Sequence, residues 1–250
     1  MRLQTTLAVL GIVVAACGGD IDAGGTTTTA VEATTTTVAH PTTTLAPTTT
    51  TVAPTSTTLA GEPADMGPSS GAILAVIGVS HDDVLNLRAG PGADQPILGR
   101  IPPTYDELIA GGETRRIPGA FWTKVRYEGT EGWVNMRYIA YLGSVDDITA
   151  QVIAQLGERP EASTMTELGQ ILAEALASDD PPSDIVNSVE ESSGDLGEVT
   201  FDVVGVGDDA IRGVRLHIFG ENLDGHFQLR TIEQTLFCDP ARGVDEGSCV

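Results

Sequence analysis

Hydrophobic and polar residues alternate with different periods along this chain, and the changes of period divide it. A largely apolar run, Leu3 to Ala16, is followed by Thr26 to Leu59, where Thr dominates and apolar residues keep no helical or strand face. From residue 71 the pattern is that of short strands: Ala72 to Val79, Val84 to Arg88, Ile97–Ile101, Tyr105–Ala110, Phe121–Tyr127 and Gly132–Val134. Ala89-Gly90-Pro91-Gly92 and Glu128-Gly129 supply turn chemistry between them. About 70 residues of short strands with glycine turns and no helical period predict a small barrel.

The period lengthens after Ser144. Val145, Ile148, Val152, Ile153 and Leu156 share one helical face, with Ser144 and Asp147 placed as cap and first-turn carboxylate. Thr164 and Glu167 open a second helix bearing Leu168, Ile171, Leu172, Ala175 and Leu176, and Pro181-Pro182-Ser183 open a shorter third with Ile185, Val186 and Val189. Beyond Gly197 the period falls to two, through Val199, Phe201, Val203, then Val214, Leu216, Ile218, then Phe227 and Leu229 toward Leu236. Three helices followed by a three-stranded antiparallel sheet predict an α+β domain behind the barrel. The expected organisation is therefore a leader at 1–16, a disordered Thr/Pro linker at 17–70, the barrel at 71–143 and the α+β domain at 144–250.

Charge sharpens this division. The chain carries a formal −22, and residues 144–250 hold 22 acidic against 5 basic side chains, whereas 71–143 hold 8 against 7. Two folded units of different character fit this asymmetry, and the lack of clustered Lys and Arg argues against nucleic acid as a partner. Solubility alone accounts for an acidic exported domain.

The first apolar run is too short for the ~20 residues a spanning helix needs, and it follows the single charge Arg2. It ends in Val14-Ala15-Ala16-Cys17, which resembles a lipobox, so Cys17 is the expected lipidation site and the chain is expected to be anchored on the outer face of the cell membrane. The alternative is an ordinary secretory signal cut near Ala16. With Cys17 set aside, Cys238 and Cys249 remain, and in an oxidising compartment they are expected to pair as a disulfide. In the Thr-rich tract, Val38, Leu45, Val52 and Leu59 recur every seven residues, but Pro41, Pro47 and Pro54 forbid a coiled coil. An extended stalk is expected there, of the type that is a candidate for O-glycosylation.

Within 71–143, several elements agree in order and spacing with one family. The run Asn86-Leu87-Arg88-Ala89-Gly90-Pro91-Gly92, the strand Ile97-Leu98-Gly99-Arg100-Ile101-Pro102, Trp122 to Tyr127, Gly132-Trp133-Val134 and Tyr138-Ile139 together resemble the bacterial SH3-like domain. The resemblance covers about residues 73–142 and departs from the family's pattern at Gly111 to Gly119, which reads as a longer, more basic loop. It implies a non-catalytic binding domain whose partner is cell-wall peptidoglycan or its peptides. Candidate ligand contacts are Asn86 and Arg88 at the first loop, Tyr105, Tyr138, and Arg115 and Arg116 for carboxylates. Asn86 equally suits holding its own loop, and Trp122 and Trp133 are read first as core.

Residues 144–250 carry little chemistry. No nucleophile elbow, zinc-protease, phosphate-loop or calcium-loop motif is present, and no cofactor or metal is implied. His217, Glu221, Asp224 and His226 are the nearest approach to a metal set, but strand histidines alternating with Leu216 and Ile218 read as a solvated face. Two other functions stay open: a cell-wall hydrolase with its catalytic groups in 144–250, and an acidic module that docks an envelope protein.

Overall fold

A computed structural model describes residues 58–250, which belong to one compact unit, Thr55–Val250. Cys17 and the Thr-rich tract up to residue 57 lie outside the described residues.

The elements follow in order: β1 (Glu62–Ala64), β2 (Ile73–Val76), β3 (Leu85–Arg88), β4 (Ile97–Ile101), β5 (Leu108–Ile117), β6 (Ala120–Tyr127) and β7 (Thr130–Asn135). A 3₁₀ turn at Met136–Tyr138 leads into β8 (Ile139–Asp147). Then come α1 (Thr149–Leu156), β9 (Glu161–Ala162), α2 (Met165–Leu176), β10 (Asp184–Ser192), β11 (Leu196–Val204), β12 (Ile211–Leu223), β13 (His226–Cys238), and a small closing hairpin of β14 (Val244–Asp245) and β15 (Ser248–Cys249). Thirteen strands join one sheet in the order β10-β11-β12-β13-β8-β2-β5-β6-β7-β3-β4, with β1 added on β5 and β9 on β13.

The first half wraps its strands round a core of Leu74, Val76, Leu85, Leu87, Ile101, Leu108, Val125, Val134 and Ile139, contributed by seven strands. Alternation makes this possible, since Leu85 and Leu87 point inward while Asn86 and Arg88 point toward the surface. Gly132 permits a close approach of β7 to β3: a Cβ there would sit 2.6 Å from Leu87 Cγ.

The expected α+β domain with three helices is not what forms. The described residues hold two α-helices, and the chain is predominantly β. Pro181 to Val189 begins no helix; residues 184–192 are β10, paired antiparallel with β11 from Asp184↔Val204 to Ser192↔Glu198. Ile185, Val186 and Val189 fit a helical face over so short a run, but β-branched residues also suit a strand, and pairing with β11 decides between them. The first helix is likewise shorter than expected. Residues 145–147 extend β8 and pair with Thr235, Gln234 and Glu233 of β13, so Val145 lies 62% exposed on a strand. Asp147 Oδ1 then accepts from Thr149 N at 2.9 Å just ahead of α1.

The second helix forms at the expected place. Thr164 caps it by accepting from Glu167 N at 3.0 Å, and Glu167 returns a carboxylate to Ser163 N at 3.1 Å. Leu168 and Leu172 are fully buried against β11 and β12, each contributing about 1.5–3 kcal/mol of transfer free energy. Gly169 allows that contact, because a Cβ there would meet Phe201 Cε2 at 2.4 Å.

β8 is shared by both halves. Its start pairs with β2 and its later residues with β13, and a third apolar layer of Ala75, Ile77, Ala140 and Phe237 fills the space at this junction. The segment expected to end the linker also folds in part, since Glu62–Ala64 pair with Thr114–Arg116 of β5. Cys238 and Cys249 form a disulfide that ties β15 to the end of β13. Gly247 of that closing hairpin accepts from Ser144 N at 2.7 Å.

Candidate binding cleft at the junction

A cleft of about 530 Å³ opens beside β3. Its floor and walls come from the loop between β2 and β3 (Gly78, Val79, Ser80, Asp83, Val84), from Asn86 and Arg88 of β3, from Trp122 of β6, from Asn135 and Tyr138 around the 3₁₀ turn, and from Val186 of β10. That volume lies within the range of small-ligand sites.

Local hydrogen bonds shape each wall. In the β2–β3 loop Ser80 Oγ donates to Asp82 Oδ1 at 2.6 Å, Asp83 N donates to Ser80 O at 3.0 Å, and Val84 N donates to Asp83 Oδ1 at 2.7 Å. The Ser80 hydroxyl holds the Asp82 carboxyl below its ordinary range. The same loop is fixed to the second half of the molecule by His81 N donating to Asn187 O at 3.0 Å. Asn135 caps the 3₁₀ turn by accepting from Arg137 N at 3.0 Å, which sets Tyr138 at the cleft. Arg137 reaches across to Asp184 of β10, Nη2 to Oδ2 at 2.7 Å.

Asn86, Arg88 and Tyr138 of the six candidate ligand residues meet in this cleft. Arg88 is partly engaged, because its Nη1 donates to Gln95 O at 2.8 Å and so fastens the Gly90-Pro91-Gly92 loop. The other three lie elsewhere. Tyr105 packs edge-on against Tyr127, ring centroids 4.9 Å apart, and burial raises the pKa of both phenols. Arg115 lies in β5 rather than in a loop, and its guanidinium fastens the segment ahead of β1: Nε donates to Ala60 O at 3.0 Å and Nη2 to Gly61 O at 2.9 Å. Arg116 is exposed on β5, opposite Glu62 and Phe121. Residues 111–119 are strand and tight turn, paired through β6, instead of an inserted loop.

Both tryptophans are buried, Trp122 to 5% and Trp133 to 3% exposure, but Trp122 also forms cleft wall. Asn135 carried a sequence signal as a polar cap ahead of a short helical turn. Val186 carried none, because it reaches the cleft only through the pairing of distant strands.

His217, from the four-residue set on β12 and its turn, faces Glu198 of β11 with Nε2 to Oε1 at 2.5 Å. Among the described residues no three His, Cys, Asp or Glu side chains gather as a metal site.

Residues 83–140 match the bacterial SH3 domain family. The match spans β3 to the start of β8 and contains every cleft residue named above except Gly78, Val79, Ser80 and Val186. No curated protein and no solved structure matches the chain.

Proposed function

We propose that this chain is a non-catalytic cell-envelope lipoprotein, anchored through Cys17, that binds cell-wall peptidoglycan or its peptides at the cleft beside β3. The observation that carries this reading is the convergence of Asn86, Arg88 and Tyr138 in one cleft within the segment matched by the bacterial SH3 domain, a domain that commonly binds wall material. An aromatic ring flanked by an amide and a guanidinium suits a sugar or peptide ligand, offering a stacking face with directional donors. Residues 71–143 are nearly neutral in charge, so this half approaches a polyanionic wall without the repulsion the acidic half meets. For the hydrolase alternative, a thiol nucleophile is unavailable at Cys238, which is bonded to Cys249.

The test is co-sedimentation of residues 18–250 with isolated wall. Wild type pellets, more completely at moderate than at low salt because salt screens the repulsion of the acidic half, and Tyr138→Ala weakens pelleting about tenfold, as expected for loss of an aromatic anchor. No soluble wall fragments appear on prolonged incubation. A folded protein that stays in the supernatant overturns wall binding, and release of fragments overturns the non-catalytic reading.

A further inference from the structure

We propose that the binding groove is built by both halves of the molecule, with β10 as its second wall, and that Arg137 and Asp184 select a ligand bearing both a carboxylate and an ammonium group. This rests on the wall-binding reading and extends it to residues 144–250, which lie beyond the bacterial SH3 match.

The cleft beside β3 does not end at Val186. A second cleft of about 220 Å³ shares Gly78, Tyr138 and Val186 with it and continues past Arg137, Asp184 and Ile185. Tyr138 and Val186 therefore form a ridge between two compartments of one elongated groove. One compartment belongs mainly to the SH3 segment and the other mainly to β10 and the 3₁₀ turn.

The second wall is held rigidly. His81 N donates to Asn187 O at 3.0 Å, and Gly78 N donates to the fully buried Asp202 at 2.8 Å. These bonds bind the β2–β3 loop to β10 and β11 on either side of the groove, so its width is set before a ligand arrives. Among the described residues β10 is the last strand of its sheet, paired only with β11.

The polar groups of the groove indicate what it takes. Trp122 lines the larger compartment, and its buried indole N–H has no hydrogen-bond partner among the described residues, a donor that an acceptor oxygen would satisfy if the ring shifts on binding. At the smaller compartment Arg137 and Asp184 pair at 2.7 Å but are 61% and 62% exposed. An ion pair so open to water is held weakly and exchanges readily for a ligand's own charges, with the guanidinium taking a carboxylate and the carboxylate an ammonium. A glycan strand freed of its peptides offers carboxylates without ammonium groups, whereas a peptide with free amino and carboxyl groups offers both.

Wall co-sedimentation of residues 18–250 tests this, with each variant first checked for an unchanged thermal melt. Val186→Glu, which narrows the groove and adds charge, is expected to reduce pelleting at least tenfold, while Val189→Glu on the same strand but outside the groove has no effect. Exchanging the charges, Arg137→Asp with Asp184→Arg, keeps an ion pair and is expected to abolish binding if the pair orients ligand; unchanged binding shows a purely structural pair and overturns the charge selection. Wall peptides released by amidase are expected to compete, and the same peptides with amines acetylated and carboxyls amidated are not. Competition by peptide-free glycan strands instead overturns the ligand class. If Tyr138→Ala loses binding and neither Val186→Glu nor the charge exchange does, wall binding stands and the two-walled groove falls; a wild type that never pellets removes both.

Discussion

Arg215 of β12 grips Asp202 of β11 with two hydrogen bonds, Nε to Oδ1 at 2.7 Å and Nη2 to Oδ2 at 2.9 Å, and uses Nη2 to hold the other half of the molecule as well. Nη2 also donates to Val76 O at 2.9 Å and to Pro103 O at 3.2 Å, while Oδ2 accepts from Gly78 N at 2.8 Å. The guanidinium lies over the Phe237 ring, 5.0 Å from its centroid. One ion pair thus joins the C-terminal sheet to β2 and to the loop that lines the cleft.

Removing one partner strands the other. Asp202 is fully buried and the Arg215 side chain is 13% exposed, so Asp202→Ala leaves a guanidinium with too few acceptors and little water. We expect a loss of about 3–5 kcal/mol in chemical denaturation. A double variant, Asp202→Leu with Arg215→Met, removes both charges and is expected to recover much of that loss; if it is as unstable as the single variant, the pair is not the origin of the effect.

The junction also predicts a single unfolding unit. Both tryptophans lie in the segment that matches the bacterial SH3 domain and both helices of the described residues lie beyond it, so tryptophan fluorescence and helical circular dichroism watch different halves. For residues 55–250 the two signals should change together along a denaturant series. A fragment of residues 71–143 uncovers Ile77 and Ala140 where Phe237 covers them, and it should be less stable than the same segment in the longer chain. Two separated transitions would mean that the shared strand β8 does not couple the halves.

What the sequence disclosed and what it withheld follow from the range of the interactions. The strands of 71–143 were readable because Leu85-Asn86-Leu87-Arg88 alternates and its glycine turns are local, and Thr164 with Glu167 marks the start of α2 by itself. Ile185, Val186 and Val189 satisfy both periods over a short run, and only pairing with β11 makes them strand. Asn86, Arg88 and Tyr138 could be picked as candidates because they flank recognisable turns, but nothing local said that these three meet and that Tyr105, Arg115 and Arg116 do not join them. Val186 enters the cleft, and Arg115 is diverted from it toward Ala60 and Gly61, through contacts between residues far apart in sequence, which no local pattern encodes.

Alkaline pH should weaken the fold. Burial raises the pKa of Tyr105 and Tyr127, and the hydrogen bond to Glu131 raises that of Lys124. For each, the folded state holds its proton more tightly than the unfolded chain, so the stabilisation is complete below the unfolded pKa and is lost as pH rises through the folded one. The melting temperature should therefore fall from about pH 10 upward, where tyrosine and lysine ordinarily titrate. Tyr105→Phe with Tyr127→Phe should flatten the decline and leave only the Lys124 contribution; an unchanged slope would place its cause in other groups.

Cys17 should fix the protein to the membrane. Wild type is expected to incorporate labelled fatty acid and to fractionate with membranes, and Cys17→Ser should do neither. A wild type recovered as a soluble, unlabelled protein would favour a secretory signal cut near Ala16.

Reduction of Cys238–Cys249 should loosen the closing hairpin more than the body of the fold. The bridge closes a loop with a sequence separation of 11 residues, for which chain entropy gives slightly under ~3 kcal/mol. Cys238 is fully buried at the end of β13, while Cys249 lies in the two-residue strand β15, whose neighbour Gly247 holds Ser144 N at the seam shared by both halves. Arg212 with Asp239, and Arg242 with Asp209, still fasten the start of this loop when the bridge is absent. Cys249→Ala with Cys238→Ala is therefore expected to lower stability by about 2–3 kcal/mol and to speed amide exchange at Ser144, with little change at Val214 or Leu216 in the sheet centre. Equal acceleration at all three amides would show that the bridge supports the whole sheet and not its seam alone.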